Sequence, residues 1–408
     1  MTLIKKIAVI INWPRELDMY EEIIKILPKN KLEILVNDSR NKEKERKNAS
    51  LIISKNLKVK KRKFKFLSQI YGLKKYKILI STGEISSNKV TFGSVLKHLY
   101  AITIGSFLNF SKLSYLSNKL FGRPFNADSY KSSFGYIWYP ERVIGEKIIK
   151  FPDGIDLKLK HYPYKELEKN FDIFFTISDF EKKLIQKKFK KKQCLVIGYP
   201  RYTNIGTEKN IKKILSKSFN LSKKKKIIYW TPTHIDNKSE ENLNIYLWLK
   251  QLVFLQKDYN IVVRPHPKTI ASEPNIEKVL KNFNYFVDKD PNRKMGDMYK
   301  ISDLIIGDFG GAVFSAIYLN KPVILLNMPK KSKFVEGLKE SQSLDLELRK
   351  NLISLNLNNS KEIIAQKINY ARKSYIKSKV ILKIRNRYFG KNKKNSNLIT
   401  KNFLLKHL

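Results

Sequence analysis

The sequence predicts an α/β protein built from two domains, each with a parallel sheet. Short apolar segments alternate with amphipathic helical segments along the chain, which is the pattern of βαβ units. The alternation occurs in two runs, separated by the polar, Lys-rich residues 202–226. A chain of 408 residues is also longer than one hydrophobic core normally supports. We therefore expect one domain at 1–204, a second at 205–375, and a basic helix or tail at 376–408.

In the first half of the chain, strands are predicted from short apolar segments and helices from amphipathic spacing. A capping-box arrangement, Ser178 with Glu181 three residues later, marks the start of the third helix. Predicted strands cover residues 7–11, 32–36, 51–54, 77–81, 134–138, 148–151, 172–177 and 194–197. Predicted helices cover residues 16–27, 96–110 and 178–189.

The second run starts after four consecutive lysines at 223–226. Its strands are again short apolar runs bounded by polar or turn-forming residues. The predicted strands cover 227–230, 261–263, 285–287, 304–306 and 322–326. The predicted helices cover 241–255, 298–301, 312–319 and the residues from 363 onward, before a basic segment at 385–394.

The composition is strongly basic. Lys and Arg number 82 against 36 Asp and Glu, which gives a formal net charge of +46. Such a charge attracts polyanions, whether nucleic acid, anionic lipid or a phosphorylated substrate. The lysines are spread along the whole chain together with many Ile and Asn, so part of the excess reflects compositional bias. Zinc-ligand spacing and RNA-binding aromatic signatures do not occur in the sequence, so we expect no specific nucleic-acid binding.

Cysteine usage and hydropathy bear on the compartment. Cys194 is the single cysteine, so no intrachain disulfide forms, as is usual in a reducing compartment. No segment reaches the roughly 18 apolar residues of a membrane span, and the start does not have the form of a signal peptide. We expect a cytoplasmic protein. The apolar helix predicted at 96–110 and the scattered lysines favour a peripheral position at the inner face of the cell membrane, unless that helix is simply an interior one.

The motif Arg264-Pro265-His266-Pro267 directly follows the apolar run 260–263. The two prolines restrict the backbone around His266 and hold its imidazole in place. A histidine there can donate a hydrogen bond to a phosphoryl oxygen or protonate a leaving group, and Arg264 can pair with phosphate. In the alternative, Arg264 pairs with a carboxylate such as Asp303 and His266 fills a turn.

A second motif, Asp308-Phe309-Gly310-Gly311, follows the apolar run 303–307 and precedes a predicted helix. Free backbone N–H groups at a helix N-terminus form a phosphate site, and glycine lets a ligand approach the backbone closely. An ordinary βα turn is the alternative. Because both motifs end parallel strands, they line the same crevice of the sheet, where a diphosphate would bind.

Other polar groups follow predicted strands. Asp153, before Gly154, is a candidate general base or an ordinary Asp-Gly turn. The hydroxyls of Thr231 and Thr233 either bind phosphate or satisfy the end of their strand. Arg201, in the segment Gly198-Tyr199-Pro200-Arg201, ends the last strand of the first domain. His234 and His161 are expected to be structural or surface histidines.

Four of these segments, in this order, resemble the CDP-glycerol glycerophosphotransferase family of teichoic-acid and capsule polymerases. They are Gly198 to Arg201, Tyr229 to Thr233, Arg264 to Pro267, and Ser302 to Gly311 followed by Lys321-Pro322-Val323. The resemblance covers residues 151 to about 326. It implies a GT-B fold, with two Rossmann-like domains facing an interdomain cleft and the donor mainly on the C-terminal domain. It maps the histidine of the family's His-Pro motif onto His266 and its acidic turn residue onto Asp308.

The sequence departs from the family pattern at two places. The family has His-Gly in the first domain, where this chain has Asp153-Gly154, with Lys158 downstream as in the family. The family also has Ser or Thr where this chain has Gly310 and Gly311, so backbone N–H groups would replace hydroxyls. An acid-Gly pair with a His-Pro pair also resembles bacterial sialyltransferases, which use a CMP-sugar. The start, residues 13–18, resembles surface-carbohydrate biosynthesis proteins.

These likenesses imply a transferase that assembles a surface polysaccharide or teichoic-acid-like polymer. The expected donor is CDP-glycerol, CDP-ribitol or a CMP-sugar, and the expected acceptor is a polysaccharide or another lipid-linked acceptor. Asp153 would take the acceptor proton, while His266, Arg264, Gly310 and Gly311 would bind the donor phosphates without a cofactor or metal. The alternatives are another nucleotide-sugar glycosyltransferase, an epimerase of the same architecture, and a non-catalytic basic protein.

Overall fold

The computed structural model describes residues 2–38, 44–70, 73–83, 140–152, 154, 158–160, 162–203, 205–234, 244–290, 293–328, 333–375, 378–390 and 395–408. The chain divides into two compact units. Unit 1 comprises Met1–Asp153, Pro163–Thr203 and Asn392–Leu408, and unit 2 comprises Gly154–Tyr162 and Asn204–Lys391. Two sequence segments therefore fold with the unit that is more distant along the chain.

Unit 1 contains a parallel sheet of seven strands within the described ranges, in the order β3-β2-β1-β4-β5-β6-β7. The first strand lies inside the sheet and is buried over residues 7–11, as its continuous apolar run predicts. The strands are β1 (Thr2–Ile11), β2 (Leu32–Val36), β3 (Lys65–Phe66), β4 (Lys74–Ser81), β5 (Gly145–Lys150), β6 (Ile173–Thr176) and β7 (Gln193–Val196).

Helices flank this sheet, and two of them show how the sequence starts a helix. Pro14 occupies the first turn of α1, where its missing N–H removes no hydrogen bond. Ser178 caps α5 by accepting the N–H of Glu181 at 3.3 Å, and the Glu181 carboxylate accepts the N–H of Ile177 at 2.8 Å. The helices are α1 (Pro14–Ile26), α2 (Lys44–Val59), α3 (Pro140–Ile144), α4 (Lys165–Asn170) and α5 (Asp179–Lys188).

The strand predicted at residues 51–54 is wrong, because these residues lie inside helix α2. Ala49, Ile53 and Leu57 are buried, and their spacing of four residues puts them on one face of a helix. A run of four apolar residues fits either element, and the longer periodicity decides the outcome. The helix predicted at 96–110 and the strand predicted at 134–138 lie outside the described residues.

Unit 2 contains a parallel sheet of six strands in its described part, in the order β10-β9-β8-β11-β12-β13. The first strand of each sheet therefore pairs with the second and the fourth, which is the strand order of a Rossmann fold. The strands are β8 (Lys226–Thr231), β9 (Tyr259–Val263), β10 (Phe286–Val287), β11 (Leu304–Gly307), β12 (Val323–Leu326) and β13 (Ser354–Leu355).

The helices of unit 2 cover a core centred on the fully buried Trp230 and Trp248. Trp248 also donates a hydrogen bond from its indole nitrogen to the carbonyl of Asn327 at 3.3 Å. The helices are α6 (Glu208–Ser218), α7 (Asn244–Leu252), α8 (Pro267–Ser272), α9 (Ile276–Asn282), α10 (Met295–Ile301), α11 (Gly311–Tyr318), α12 (Lys333–Glu340), α13 (Leu344–Asn351), α14 (Lys361–Ser374) and α15 (Lys379–Phe389).

The segment predicted as a basic tail, 376–408, is divided between the units. Helix α15 belongs to unit 2, whereas α16 (Ser396–Lys406) belongs to unit 1. Leu404 of α16 is buried in the core of unit 1, and the Phe403 ring packs edge-on against Phe175 at 5.5 Å. Over the described part of the chain, no helix has both the length and the apolar character needed to cross a bilayer.

Candidate functional site

The two central strands of the second sheet, β8 and β11, pair directly and carry two of the predicted site segments at their carboxyl ends. In a Rossmann sheet the crevice outside these ends is the topological switch point, where ligands bind. Residues 231–234 follow β8, and residues 308–311 follow β11. We call residues 308–311 the donor turn, after the role that the sequence analysis predicts for them.

Asp308 of the donor turn is buried and anchors the neighbouring loop. Its Oδ1 atom accepts the N–H of Thr233 at 2.8 Å and the N–H of Phe309 at 2.9 Å. Its Oδ2 atom accepts a hydrogen bond from the amide nitrogen of Asn244, at the start of α7, at 2.7 Å. With 1% of its surface exposed, the carboxylate acts within the protein and sets the shape of the crevice.

The two threonine hydroxyls are used in the same way. Thr231 donates to the carbonyl of Ile306 at 3.4 Å, and Thr233 donates to the carbonyl of Phe309 at 2.7 Å. Both hydroxyls therefore donate hydrogen bonds to strand β11 or to the turn that follows it. These contacts favour the structural alternative for their role, and phosphate binding by them stays a prediction.

Gly310 has a backbone conformation that favours glycine, with φ 79°. Its N–H donates to the Oδ1 atom of Asp345 at 2.8 Å, so this amide is turned towards the interior. Helix α11 starts at the next residue. The amides of Gly311 and Ala312 have no hydrogen-bond acceptor among the described residues, which leaves them available to a ligand at the positive helix terminus.

Two residues of α13 that the sequence analysis did not single out support the donor turn from behind. The Arg349 guanidinium lies over the Phe309 ring, 3.8 Å from its centroid, and donates to the carbonyl of Asp308. Burial lowers the pKa of Arg349 to about 10, against the opposing charges of Asp308 and Asp345. Burial likewise raises the pKa of Asp345, although the Gly310 N–H, Ser343 and Arg349 act in the other direction.

His266 follows β9 and stacks on a second histidine. The rings of His266 and His234 have centroids 5.9 Å apart and planes inclined by 25°. The Nδ1 atom of His234 lies 3.0 Å from the hydroxyl of Thr269, which belongs to α8. Both rings are half-buried. His234, expected to be structural or at the surface, thus lies beside the predicted catalytic histidine.

Arg264 is held by the loop after β10. Its Nη1 atom contacts Asp288 Oδ2 at 3.0 Å and donates to the carbonyl of Arg293 at 3.2 Å, and its Nη2 atom donates to the carbonyl of Asp290 at 3.2 Å. Asp288 is the carboxylate partner, whereas Asp303 accepts the N–H of Ile227. The Arg264 side chain is 19% exposed, and a direct role towards phosphate stays a prediction.

Three further residues were predicted to belong to the site: Asp153, Lys158 and Arg201. Asp153 is outside the described residues. Lys158, in unit 2, is exposed and forms an isolated antiparallel bridge with Ser343. Arg201, in unit 1, is largely buried, and its Nε atom donates to Asp18 Oδ2 at 2.7 Å. In the part of the chain that is described, no three His, Cys, Asp or Glu side chains form a group that could hold a metal ion.

Sequence comparisons match this chain to known proteins. A family model described as CDP-Glycerol:Poly(glycerophosphate) glycerophosphotransferase matches residues 155–401. The teichoic acid poly(glycerol phosphate) polymerase of Bacillus spizizenii is 26% identical over 168 residues, which are 39% of this chain and 41% of that relative. The matched region is thus less than half of the relative's length.

Structure comparisons agree on the fold. A variant of the wall teichoic acid polymerase TagF matches with a TM-score of 0.58 and 14% identity, over 98% of this chain and 88% of that chain. The UDP-GlcNAc 2-epimerase from Neisseria meningitidis matches with a TM-score of 0.53 and 15% identity, over 98% of this chain and 100% of the other. The α/β class with two Rossmann-like units, expected from the sequence, is confirmed.

Proposed function

The chain belongs to the CDP-glycerol:poly(glycerophosphate) glycerophosphotransferase family, and on that premise we propose that it transfers glycerophosphate from CDP-glycerol to a teichoic-acid-type acceptor. The matched relative is itself named as a poly(glycerol phosphate) polymerase. The observation that carries the proposal is the switch point of unit 2. There the amides that start α11 and the ring of His266 follow strands that end at the same edge of the sheet.

The proposed reaction is a phosphoryl transfer. A hydroxyl oxygen of the acceptor attacks the glycerol-bearing phosphorus of CDP-glycerol and forms a new P–O bond. The P–O bond to the bridging oxygen breaks, and CMP leaves with that oxygen and the electron pair. The hydroxyl proton passes to a base, for which the sequence offers Asp153.

Stabilisation of charge on the phosphates is the main task of the site, because such transfers depend mostly on positioning and electrostatics. The amides of Gly311 and Ala312 suit phosphate oxygens at a helix N-terminus. His266 would donate a hydrogen bond, or a proton, to the departing CMP phosphate. His234, stacked on it, would limit the motion of its ring.

Arg264 has a different part in this proposal from the one expected at first. Its guanidinium contacts Asp288 and two backbone carbonyls, so it ties the residues after β9 to the residues after β10. We assign it the positioning of the His266 turn. Thr231, Thr233 and Asp308 serve the same purpose for the donor turn, through the hydrogen bonds between the loops after β8 and β11.

The site of action and the acceptor extend the proposal. A net charge of +46 would draw the protein to an anionic membrane surface, where a lipid-linked acceptor would be found. We therefore propose cytoplasmic action at the inner face of the membrane on a growing glycerophosphate or polyol-phosphate polymer. Co-sedimentation with vesicles of phosphatidylglycerol at low salt, against vesicles of phosphatidylcholine, tests this part separately.

A donor panel tests the proposed reaction. Purified protein is incubated with an oligomeric glycerol-phosphate acceptor and CDP-glycerol, CDP-ribitol, CMP-sialic acid or UDP-GlcNAc, and nucleotide release and acceptor extension are measured. We expect CMP release and extension with CDP-glycerol. Extension with CMP-sialic acid alone would replace the proposal with a sialyltransferase. Conversion of UDP-GlcNAc without an acceptor would replace it with an epimerase.

A further inference from the structure

Helix α13 presents an acidic and a basic side chain to the back of the donor turn. Asp345 and Arg349 are four residues apart, so they lie on one face of the helix, one turn from each other. Each makes hydrogen bonds to the backbone of the donor turn. Helix α13 starts 33 residues after the last residue of that turn in the sequence and carries none of the motifs described above.

Asp345 determines which amide of the turn is available to a ligand. Its Oδ1 atom accepts the N–H of Gly310, and its Oδ2 atom accepts the hydroxyl of Ser343 at 3.1 Å. The Asp345 carboxylate thus occupies the Gly310 amide and stabilises the positive-φ backbone at that residue. The next two amides, those of Gly311 and Ala312, remain without an acceptor in the described part of the chain.

Arg349 fixes the other end of the turn. Its guanidinium donates to the carbonyls of Asp308 and Leu326 and to the amide oxygen of Asn327. These acceptors belong to the residues that end β11 and β12, so one side chain joins two adjacent strand ends. A planar guanidinium has several N–H donors in a fixed fork-like arrangement and can reach several acceptors at once. An ammonium group cannot reproduce this arrangement.

The charges of the cluster explain why an arginine is needed there. The buried carboxyls of Asp308 and Asp345 lie directly behind a site proposed to bind phosphate, and two negative charges would oppose an anion. The positive charge of Arg349 offsets one of them.

The start of α13 is itself held by a distant part of the chain. Ser343, which caps the helix, forms an antiparallel bridge with Lys158. The N–H groups of Leu159 and Lys160 donate to the carbonyls of Gln342 and Ser341, each at 3.2 Å. The segment that follows Asp153 in the sequence is therefore bonded to the turn that positions Asp345.

We propose that Asp345 and Arg349 are positioning residues of the donor turn, which direct the amides of Gly311 and Ala312 to a phosphate of the nucleotide donor. This inference rests on the proposed function for the identity of the ligand. The geometry of the turn does not depend on it. Asp345 and Arg349 act through the backbone and do not touch the reacting atoms.

The kinetic test compares alanine with conservative replacements in the full chain. We expect Asp345→Ala and Arg349→Ala each to raise the KM for CDP-glycerol by about tenfold or more, a loss of ~1.4 kcal/mol of binding. Asp345→Asn should restore the KM to within about threefold, because the amide oxygen still accepts the Gly310 N–H. Arg349→Lys should not restore it, because the fork is lost. These two variants carry the test if an alanine variant does not fold.

The matched control is Arg372→Ala. Arg372 is another guanidinium of unit 2 that contacts an aromatic residue, donating to the Tyr259 hydroxyl at 3.0 Å and lying 5.9 Å from that ring. Its removal should leave the KM unchanged. A KM for the Arg349 variants equal to that of wild type, in protein with an unaltered melting temperature, would overturn the proposal for Arg349, as rescue by lysine would.

A second readout separates this inference from the proposed function. Hydrogen exchange measured over residues 308–314 should accelerate in Asp345→Ala and return towards the wild-type rate in Asp345→Asn. Unchanged exchange in Asp345→Ala would overturn the positioning role whatever the substrate is. Lack of CMP release by wild type from CDP-glycerol would instead overturn the proposed function, and the exchange result would still decide the positioning role.

Discussion

The carboxylate of Asp308 accepts the backbone N–H of Thr233 at 2.8 Å, so a side chain at the end of β11 shapes the loop that follows β8. The Thr233 hydroxyl returns a hydrogen bond to the carbonyl of Phe309 at 2.7 Å. The floor of the crevice at the switch point is thus closed by two reciprocal contacts between neighbouring strand ends. This pairing joins the two loops to each other.

The role of Asp308 as an anchor predicts that asparagine replaces it far better than alanine does. Asp308→Ala leaves the N–H groups of Thr233 and Phe309 and the Asn244 amide without an acceptor, a loss of ~3 kcal/mol in unfolding free energy. In Asp308→Asn, the new oxygen accepts the two N–H groups. The Asn244 Oδ1 atom, buried and without a partner in the described residues, can turn to accept the new NH₂ group. Urea unfolding of both variants measures this difference, and equal losses would contradict the anchoring role.

Gly310 and Gly311 should respond differently to alanine. Gly310 has φ 79°, so Gly310→Ala should lower the unfolding free energy by ~1–2 kcal/mol. A Cβ atom added to Gly311 meets nothing within 4 Å, and alanine favours the first turn of α11, so Gly311→Ala should not destabilise the protein. Thermal unfolding of the two variants checks the contrast. A Gly311→Ala variant less stable than Gly310→Ala would be the contrary result.

His266 is expected to carry catalysis without carrying the fold. His266→Ala should lower kcat for CMP release by about 10²–10⁴, the range of general acid–base catalysis, with an unchanged melting temperature because the ring is half-buried. His407→Ala is a matched control, since His407 also stacks on a ring, that of Phe403 at 4.1 Å in unit 1. Near-wild-type turnover by His266→Ala would remove the assignment.

Glu21 predicts a pH-dependent contribution to the stability of unit 1. Burial raises the pKa of Glu21, but the hydrogen bond and charge of Lys60, with Arg62 and Lys25, outweigh it and lower the pKa overall. A carboxyl with a lowered pKa in the folded state stabilises the protein above its unfolded pKa, and this is lost as the pH falls through the folded pKa. Glu21→Gln should therefore cost ~1–2 kcal/mol at pH 7 and progressively less below about pH 4.

The control for this prediction is Glu277→Gln. Glu277 also contacts two lysines, Lys281 at 2.7 Å and Lys289 at 2.5 Å, but all three side chains lie at the surface. Exposed ion pairs contribute little, so its removal should change the unfolding free energy by less than about 0.5 kcal/mol. Urea unfolding across pH 3–8 measures the unfolding free energy of the two variants. A Glu21→Gln deficit that does not shrink in acid would contradict the assignment.

Much of the architecture follows from local sequence. Strands buried on both faces require continuous apolar runs, and the segments ending at Val263 and Gly307 have them. The motifs that follow these strands have the Pro and Gly residues that a sharp turn into a helix requires. The position of His266 and of the donor turn at one edge of the sheet could therefore be predicted. The run at 51–54 could not be assigned locally, because four apolar residues suit a helix face as well as a strand.

The residues that contact the predicted site residues could not be predicted from the sequence. Asp345 and Arg349 form hydrogen bonds with backbone groups. Because residues of every type carry these groups, the sequence does not show which of them a side chain contacts. Asp288, the partner of Arg264, directly follows the two-residue strand β10, so a polar residue at a strand end was the available signal. The pairing of Thr233 with Asp308 depends on which strands are neighbours, and only the sheet order supplies that information.

The placement of α16 has a consequence for how this chain is made. Phe403 and Leu404 pack into unit 1 although they are translated after every residue of unit 2. Part of the unit 1 interior therefore stays uncovered during synthesis, until the intervening 188 residues from Asn204 to Lys391 and then α16 have been translated. A truncation after Lys391 removes residues from unit 1 alone, so it should yield a protein that aggregates through that unit although unit 2 is intact.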